Sequence, residues 1–499
     1  MSEYNGIKIV PKIKVQDKHD LAVVYTPGVA ASCLKIKDNP EESFDYTNRE
    51  NSVGVISFSY SESLKRAIFL KSILGIDAYP LEIKEVSKEK LKFVVQNLEP
   101  TFGAMDLSLI SDFVRDIKFD VAIPVLKGSV PDLKEFFMCV SKALLLSGSS
   151  NLEGSIDEQS LALRKKAGGV IEIEITKDEQ TKPVGIVTDG SAILGLGNIG
   201  ALAGLPVMEG KSVLFSELGE VSAMPVCLKT QKPEEVIEIV QLLENSFSGI
   251  NLEDICAPNC FTVEKNLIDT LNIPVFHDDQ HGTAIVVLAA LLNALTLAGK
   301  KPENIKLVFS GAGAAAIAVC KLILSVGVKD IVMFDKSGAV YKGRKENNFA
   351  HEEISDFTNL SHNSRPLKEQ IKGADVFIGL SAPDILTPDM IKTMAPKPIV
   401  FALANPTPEI MPEDAKNAGA FVVASGRSDF ENQINNSLVF PGLFNGVLKH
   451  KVKKITEGIK LNCAFALAST VKDSELSVDY ILPDALDRVV PKTISDNVR

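Results

Sequence analysis

The chain has 499 residues, of which 45% are hydrophobic and 23% charged, and its formal net charge is −11. This balance is typical of a folded protein with two or three domains and excludes a largely disordered chain. Acidic and basic residues are interspersed without a basic stripe, which argues against nucleic acid and anionic membranes as partners.

The cysteines and the N-terminus bear on the cellular compartment. Seven cysteines are dispersed along the chain, which predicts reduced thiols in a cytoplasmic protein. Cys256 and Cys260 are four positions apart, but no second pair follows at the spacing of a zinc site, so structural zinc is not favoured. The first ten residues have no apolar core and are not rich in arginine, which predicts no targeting peptide.

The first feature in chain order is an internal repeat. Shifted by 145 positions, residues 66–110 match residues 211–255 without a gap, and shorter matches extend the similarity over about 53–148. We interpret 53–148 as a degenerate copy of the later segment. It is either a packing or interface module or a regulatory ligand site, and chance similarity is the third alternative. The polar stretch 149–183 predicts a connector with a short helix and a strand.

Two carboxylate-rich stretches follow, each after an apolar run. Glu253 and Asp254 form the first, and Asp278 and Asp279 form the second. Converging carboxylates repel one another unless a cation lies among them, and oxygen ligands of this kind favour Mg²⁺ or Mn²⁺. A solvated surface is the alternative.

His277 and His281 are four positions apart, a spacing that also occurs in zinc-binding helices. No His-Glu-x-x-His pattern accompanies them, so we predict that they support or cap their neighbours. The apolar run 283–298 is interrupted by Asn293 and Thr296. It is short for a membrane span and predicts a buried helix.

A dinucleotide-binding unit is predicted from about residue 304. A β-rich run leads into a glycine turn, an apolar helical stretch and a second β-rich run that ends at Asp335. Gly311 permits the tight turn, and Gly313 lets backbone N–H groups approach a pyrophosphate. The predicted cofactor-binding residues of the turn are Gly311, Ala312, Gly313, Ala314, Ala315 and Ala316.

The strand ends that follow the turn bear on the choice of cofactor. Asp335 favours a free ribose 2′-hydroxyl and hence NAD, whereas Lys336 and Arg344 are close enough in sequence to meet the 2′-phosphate of NADP. Later β-rich runs end near Ser381 and Asn405, which are therefore predicted to line the cofactor cleft.

Together these segments resemble the malic enzymes. The matching segments, in family order, are YTPGVA (25–30), VTDGSAILGLGNIGALAG (187–204), PVMEGKSVLF (206–215), NLEDICAPNCF (251–261), PVFHDDQHGTA (274–284), SGAGAAA (310–316), ALANPTPE (402–409) and NQINNSLVFPG (432–442). The resemblance covers residues 1–56 and 184 to about 470. It implies an α/β malate domain at 1–299, a Rossmann NAD(P)-binding domain at 300–450 and a C-terminal helical segment at 451–499.

The resemblance also implies an activity and its residues. The activity is the oxidative decarboxylation of L-malate to pyruvate, with NADP or NAD and Mg²⁺ or Mn²⁺, by a cytoplasmic homodimer. The implied roles are Tyr25 as general acid, Lys211 as general base, Glu253, Asp254 and Asp279 as metal ligands supported by Asp278, and Asn405 and Asn436 as contacts to the substrate carboxylates. The segments HDDQHGT and GSAILGLG look more like the short microbial branch, which mostly prefers NADP.

The chain also departs from the family pattern. Ser191 and Ala192 stand where many longer members carry an arginine. In the degenerate copy, the positions that match Lys211, Glu253, Asp254, Asp278 and Asp279 are Arg66, Ser108, Leu109, Gly128 and Ser129. The copy is therefore predicted to bind no metal. Two other functions remain open, a metal-free 2-hydroxyacid dehydrogenase and a non-catalytic regulatory protein on the same fold.

Overall fold

The computed structural model describes residues 6–127, 155–177, 182–193 and 195–499. The chain forms two compact units, Met1–Phe276 and His277–Arg499. The structure thus places the boundary earlier than the expected position at 299/300. The reason is that the apolar helix Thr283–Ala298 packs against other helices of the second unit, the ones at Ala314–Leu324 and Glu457–Ser469.

The described part of the first unit contains these strands: β1 (Gly6–Pro11), β2 (Ser52–Ser57), β3 (Asp77–Glu82), β4 (Ala104–Asp106), β5 (Val125–Leu126), β6 (Ile171–Thr176), β7 (Val184–Thr188), β8 (Ala223–Cys227), β9 (Gly249–Leu252) and β10 (Val275–His277). Its helices are α1 (Lys18–Val24), α2 (Val29–Asp38), α3 (Ser43–Tyr46), α4 (Tyr60–Leu74), α5 (Lys88–Asn97), α6 (Ser111–Val114), α7 (Ile156–Ala167), α8 (Ala201–Gly219), α9 (Pro233–Leu242) and α10 (Asn259–Thr270).

Two four-stranded sheets in this unit have the same strand order. One runs β3-β2-β4-β5 and the other β8-β7-β9-β10. Their registers also agree, because Val55 lies opposite Pro80 in the first sheet and Ile186 opposite Pro225 in the second. The shared order and register support the internal repeat. Its end at 128–148, with Gly128 and Ser129, lies outside the described residues.

A glycine in the first strand of each copy allows the same close contact. A Cβ on Gly54 would lie 2.9 Å from the ring of Phe102, and one on Gly185 would lie 3.2 Å from the ring of Phe247. The two phenylalanines are 145 positions apart, as in the sequence match. The two copies therefore agree in their core packing as well as in their strand order.

The predicted connector contains a helix and a strand, as expected. Helix α7 begins after Ser155, whose hydroxyl accepts from the N–H of Glu158 while the Glu158 carboxylate accepts from the Ser155 N–H. This reciprocal capping fixes the start of the helix. Strand β6 then pairs antiparallel with β1, so that Ile173 lies opposite Ile9. The connector is thus part of the folded first unit.

The second unit contains these strands: β11 (Lys306–Ser310), β12 (Asp330–Asp335), β13 (Gly338–Ala339), β14 (Val376–Gly379), β15 (Ile399–Ala402) and β16 (Val422–Ser425). Its helices are α11 (Thr283–Ala298), α12 (Ala314–Leu324), α13 (Phe349–Ile354), α14 (Leu367–Gln370), α15 (Pro388–Ile391), α16 (Pro412–Asn417), α17 (Phe440–Lys449), α18 (Glu457–Ser469) and α19 (Val489–Asn497).

The second unit is built on one six-stranded sheet in the order β13-β12-β11-β14-β15-β16. All neighbours pair parallel except the short β13, so the strand C-termini share one edge. This is the Rossmann arrangement that the glycine turn predicts. Among the described residues, one helical stretch, 278–298, is apolar and long enough to span a membrane, but 67% of its most apolar 18-residue segment is buried inside the protein.

Candidate active site

A buried ion pair joins helix α8 to the end of strand β9 in the first unit. Lys211 has no exposed surface, and its Nζ contacts Oε1 of Glu253, which is 2% exposed. The other carboxylate oxygen of Glu253 accepts from Nδ2 of Asn251 at 3.0 Å. Charged groups persist in a protein interior only when they are paired and hydrogen-bonded. The fold therefore holds the Lys211 amine at a fixed place beside a carboxylate.

Tyr25 lies against the same helix. It follows α1 and is 4% exposed. A Cβ on Gly210 would lie 3.0 Å from Cδ2 of Tyr25 and 2.9 Å from the carbonyl oxygen of Val24, so the residue before Lys211 must be small. The structure thus brings Tyr25, Lys211 and Glu253 together in one unit, although they are far apart in sequence.

A second turn holds Asp254 in place. Asp254 is 3% exposed and has a φ of 54°, a left-handed conformation that is uncommon for non-glycine residues but that aspartate adopts more readily than most. Its carbonyl accepts from the N–H of Ala192 at 2.9 Å. The hydroxyl of Ser191 accepts from the N–H of Cys256 at 2.8 Å and donates to Asp189 at 2.5 Å. Ser191 and Ala192 therefore position the Asp254 backbone.

The glycine turn of the second unit has the features of a pyrophosphate site. Gly311 has a φ of 117°, and a Cβ there would lie 2.5 Å from the carbonyl oxygen of Leu380. Gly313 caps helix α12 without a side-chain hydrogen bond, and the space around its Cβ position is open. A helix start with accessible N–H groups attracts anions. The local geometry therefore fits the phosphates of a dinucleotide.

A buried glutamate connects the two loops that carry Ser381 and Asn405. Oε1 of Glu409 accepts from the N–H of Ser381 at 2.8 Å, and Oε2 accepts from the N–H of Ala404 at 3.0 Å. Burial raises the pKa of Glu409, against the opposing effect of these hydrogen bonds. Ser381 and Asn405 lie beyond the C-terminal ends of neighbouring strands, as predicted. Glu409 ends the ALANPTPE segment, but nothing in its local sequence indicates this connecting role.

Asp335 at the end of β12 is held by a buried arginine. Both of its oxygens accept from Arg344, whose Nη1 lies 2.9 Å from Oδ1, and the Ser337 N–H also donates to Oδ1 at 2.8 Å. Burial alone would raise the pKa of Asp335, but the bonds from Arg344 and Ser337 outweigh it and lower the pKa. Asp335 is therefore a fixed carboxylate at the place where a ribose hydroxyl binds in Rossmann folds.

The remaining predicted residues lie near the start of helix α11. Asp278 is fully buried, and a Cβ on Gly282 would collide with its Oδ1 and lie 3.2 Å from Cβ of Asn436. Asp278 and Asn436 are therefore neighbours. Nδ1 of His277 lies 3.7 Å from Oδ2 of Asp279.

His281 contacts Lys460, whose Nζ lies 3.0 Å from its Nδ1. The contacts of His277 and His281 thus agree with the predicted supporting roles. Cys256 and Cys260 carry free thiols.

Known proteins match both units. Residues 156–268 match the family described as "Malic enzyme, N-terminal domain", and residues 280–498 match "Malic enzyme, NAD binding domain". The "Bifunctional malic/malolactic enzyme" of Bacillus subtilis is 53% identical over 316 residues, which are 63% of this chain and 77% of that protein. The chain belongs to the malic enzyme family.

Two further malic enzymes bear on the cofactor and on the extent of the match. The "NADP-dependent malic enzyme" of Escherichia coli is 44% identical over 321 residues, which are 61% of this chain but only 42% of that protein. The crystal structure of the NAD-dependent malic enzyme of Thermotoga maritima matches with a TM-score of 0.60 and 34% identity, over 98% of this chain and 94% of that one. Membership confirms the predicted α/β fold, the enzyme class and the nicotinamide dinucleotide.

A divalent metal ion is typical of malic enzymes, and some residues present fit one. Glu253 and Asp254 are consecutive buried carboxylates, and such oxygen donors suit Mg²⁺ and Mn²⁺. Asp279 belongs to the second unit. Within the described ranges, no three His, Cys, Asp or Glu side chains are gathered as a metal centre. The set Glu253, Asp254 and Asp279 therefore stays a prediction.

Sequence reasoning missed a buried arginine that supports this malic enzyme site. Arg164 in α7 has no exposed surface, and its Nη2 donates to the carbonyls of Val24 at 2.7 Å and Pro206 at 3.1 Å. Its Nη1 lies 3.5 Å from Oε2 of Glu209. Burial lowers the pKa of Arg164 and raises that of Glu209, and the charge of each partner opposes the shift of the other. Arg164 thus anchors the residue before Tyr25 and the helix of Lys211.

Proposed function

We propose that the protein oxidatively decarboxylates L-malate to pyruvate and CO₂ with reduction of NAD or NADP. The observation that carries the proposal is the buried Lys211–Glu253 pair with Tyr25 packed on the residue before Lys211. The amine of Lys211 is buried beside a carboxylate, and the buried ring of Tyr25 lies against the preceding residue of the same helix, which supports this proposal. A lysine without a role in the reaction is usually exposed to solvent, whereas Lys211 is buried.

Each of these groups has a place in the reaction. Lys211 accepts the proton of the C2 hydroxyl of malate as C2 is oxidised, and Tyr25 donates a proton to C3 after the β-carboxylate has left as CO₂. Asn405 and Asn436 hold the two substrate carboxylates through their amide N–H groups. Bound cofactors supply a hydride acceptor and a divalent cation that stabilises developing negative charge.

The metal ligands in this proposal are Glu253, Asp254 and Asp279, with Asp278 in support. Glu253, Asp254 and Asp278 are buried carboxylates, and buried carboxylates are usually found either in ion pairs or as ligands of a metal ion. The cytoplasm as compartment and a homodimer as assembly belong to the same proposal. They rest on the dispersed free thiols and on the analogy with the family.

A coupled assay tests the reaction. Purified protein with L-malate and Mn²⁺ is expected to form pyruvate and reduced cofactor in equal amounts, and a chelator is expected to abolish both. Pyruvate and reduced cofactor are measured separately, with NAD and NADP side by side. Reduced cofactor without pyruvate would identify a 2-hydroxyacid dehydrogenase, and an activity that survives chelation would contradict the role of the metal. No turnover with either cofactor would favour the regulatory alternative.

The fixed carboxylate of Asp335 favours NAD as the preferred cofactor. Its partner Arg344 is 7% exposed and also donates to the carbonyls of Gly338 and Ala339, so this arginine is held in the protein rather than presented to a phosphate. A negative carboxylate accepts from a ribose hydroxyl and repels a 2′-phosphate. The carboxylate of Asp335 thus opposes the NADP preference that the similarity to the short microbial branch suggests.

Replacing Asp335 by serine is expected to raise the NADP/NAD ratio of kcat/KM about 10- to 100-fold. The substitution removes the repulsion between the Asp335 carboxylate and the 2′-phosphate of NADP. Such a repulsion is worth about 1.4–3 kcal/mol, which corresponds to a 10- to 100-fold change in the ratio. The ratio is measured by steady-state kinetics at low salt. Asp330→Asn is the matched control, because Asp330 is exposed at the opposite end of the same strand. An unchanged ratio in Asp335→Ser would show that Asp335 does not meet the ribose.

A further inference from the structure

The two copies in the first unit contact each other through their strand ends in a reciprocal way. The Thr101 hydroxyl accepts from the Cys227 N–H at 2.9 Å and donates to the Cys227 carbonyl at 3.1 Å. The Ser246 hydroxyl accepts from the Glu82 N–H at 2.8 Å and donates to the Glu82 carbonyl at 3.0 Å. Ser246 and Cys227 lie 145 positions after Thr101 and Glu82. One contact is therefore the image of the other.

Two ion pairs near these contacts are related by the same shift of 145 positions. Lys84 pairs with Glu244 at 2.8 Å, and Lys229 pairs with Glu99 at 2.9 Å. In each pair the two residues come from different copies, and both lysines and both glutamates are again 145 positions apart. The glutamates are largely buried, with side chains 12% and 9% exposed.

Two backbone hydrogen bonds beside the ion pairs are also related by the shift of 145 positions. The Lys84 N–H donates to the Leu242 carbonyl at 3.1 Å, and the Lys229 N–H donates to the Asn97 carbonyl at 3.0 Å. An interface in which residue i contacts j and the equivalent of j contacts the equivalent of i is isologous, the arrangement of a twofold homodimer. Each copy carries both members of every pair, as such an interface requires.

We infer that residues 52–126 serve residues 184–276 as a built-in second subunit that supports the site but has no chemistry of its own. The surface of residues 184–276 that carries Cys227, Lys229 and Ser246 is thus covered by a segment of the same chain, residues 52–126. The name "catalytic copy" for 184–276 rests on the proposed function, whereas the reciprocal contacts do not depend on it.

The interior of 52–126 agrees with a supporting role. Arg66, which matches Lys211, is paired with Asp106 at 2.8 Å, and Asp106 is buried. Ser108 and Leu109 replace the two carboxylates of the catalytic copy. The cation is neutralised internally, and the described residues of this copy offer no group in the place of a metal ligand. This favours the packing role over a regulatory ligand site.

A short series of contacts leads from this interface to the site. Thr101 holds the last residue of β8, and the next residue, Leu228, donates its N–H to the Thr188 carbonyl at 2.9 Å. Thr188 begins the turn whose Ala192 N–H donates to the Asp254 carbonyl at 2.9 Å. The copy therefore supports the turn that presents Asp254. Ser246, the counterpart of Thr101, supports the equivalent strand end at Glu82 in residues 52–126.

The symmetry supplies a matched pair of variants, Thr101→Val and Ser246→Ala, tested in the full-length protein. Each removes one hydroxyl and leaves a backbone N–H and carbonyl without that partner, buried ones at Cys227 and half-buried ones at Glu82. Both are expected to lower the melting temperature by a similar amount, about 2–5 °C. Only Thr101→Val is expected to weaken Mn²⁺ binding, by about 3- to 10-fold, less than the 10- to 100-fold loss for a direct partner of a ligand. Mn²⁺ binding is measured by titration of the free ion.

The outcomes are decisive in either direction. A fall in melting temperature for only one variant would overturn the isologous interface, and equal weakening of Mn²⁺ binding in both would overturn the specific support of Asp254. Unchanged Mn²⁺ binding in Thr101→Val would do the same. If either variant fails to fold, Lys84→Met and Lys229→Met provide a milder symmetric pair with the same readouts. A wild-type protein that does not turn over malate would refute the proposed reaction while the melting temperatures still test the interface.

Discussion

Replacing Lys211 by methionine is expected to lower kcat for malate oxidation by about 10²- to 10⁴-fold, the usual range for loss of a general base. Methionine keeps the length and the buried contacts of the side chain but cannot accept a proton. Since the base acts before any product forms, reduced cofactor and pyruvate should decline together. Both are measured in steady-state assays at saturating malate.

Two control variants separate this loss from a change of fold. Lys232→Met removes an exposed lysine that pairs with Glu235 and should leave kcat unchanged. Tyr25→Phe keeps the ring that packs on Gly210 but removes the phenolic proton, so it should slow pyruvate formation more than cofactor reduction. If Lys211→Met retained more than about a tenth of the wild-type kcat, Lys211 would not be the base.

Replacing Arg164 by methionine is expected to lower the free energy of unfolding by about 3–5 kcal/mol, the range for breaking a buried ion pair. The loss is large because Glu209 is 1% exposed, so its charge has no access to water when the guanidinium is removed. The Val24 and Pro206 carbonyls also lose their donor. Unfolding is followed in urea by a probe in the first unit, because the two units need not unfold together.

Companion variants test the physical cause. Arg164→Met combined with Glu209→Gln should recover part of the lost stability, because no charge is then left buried. Arg115→Met is the control, since the pair between Arg115 and Asp112 is exposed and worth about 0–1 kcal/mol. Equal effects of Arg164→Met and Arg115→Met would show that the Arg164–Glu209 contact is not stabilising.

Much of the second unit could be predicted from local sequence. The spacing of Gly311, Gly313 and Asp335 identifies the strand, turn, helix and strand, and the structure has them at the expected positions. The strand ends near Ser381 and Asn405 follow from the same alternation. The pairing of Arg344 with both oxygens of Asp335 could not be predicted, because nearness in sequence does not fix the direction of a side chain.

The first unit was harder to predict for a physical reason. Tyr25 and Lys211 stand out only through the resemblance to malic enzymes, since neither residue is unusual in its local sequence. Arg164 lies beside Lys165 and Lys166 in a polar helix, where a pattern of charges predicts a solvated face. Which of three consecutive cations turns inward depends on the partners that tertiary packing provides, here Val24 and Glu209.

The origin of Arg164 has a consequence for how this protein can change over evolutionary time. It comes from the stretch between the two copies, yet it neutralises a charge in the helix of the proposed base. Deleting the stretch would leave the carboxylate of Glu209 buried without its ion-pair partner. A shorter form of the chain without this stretch would therefore require a change of Glu209 first or at the same time.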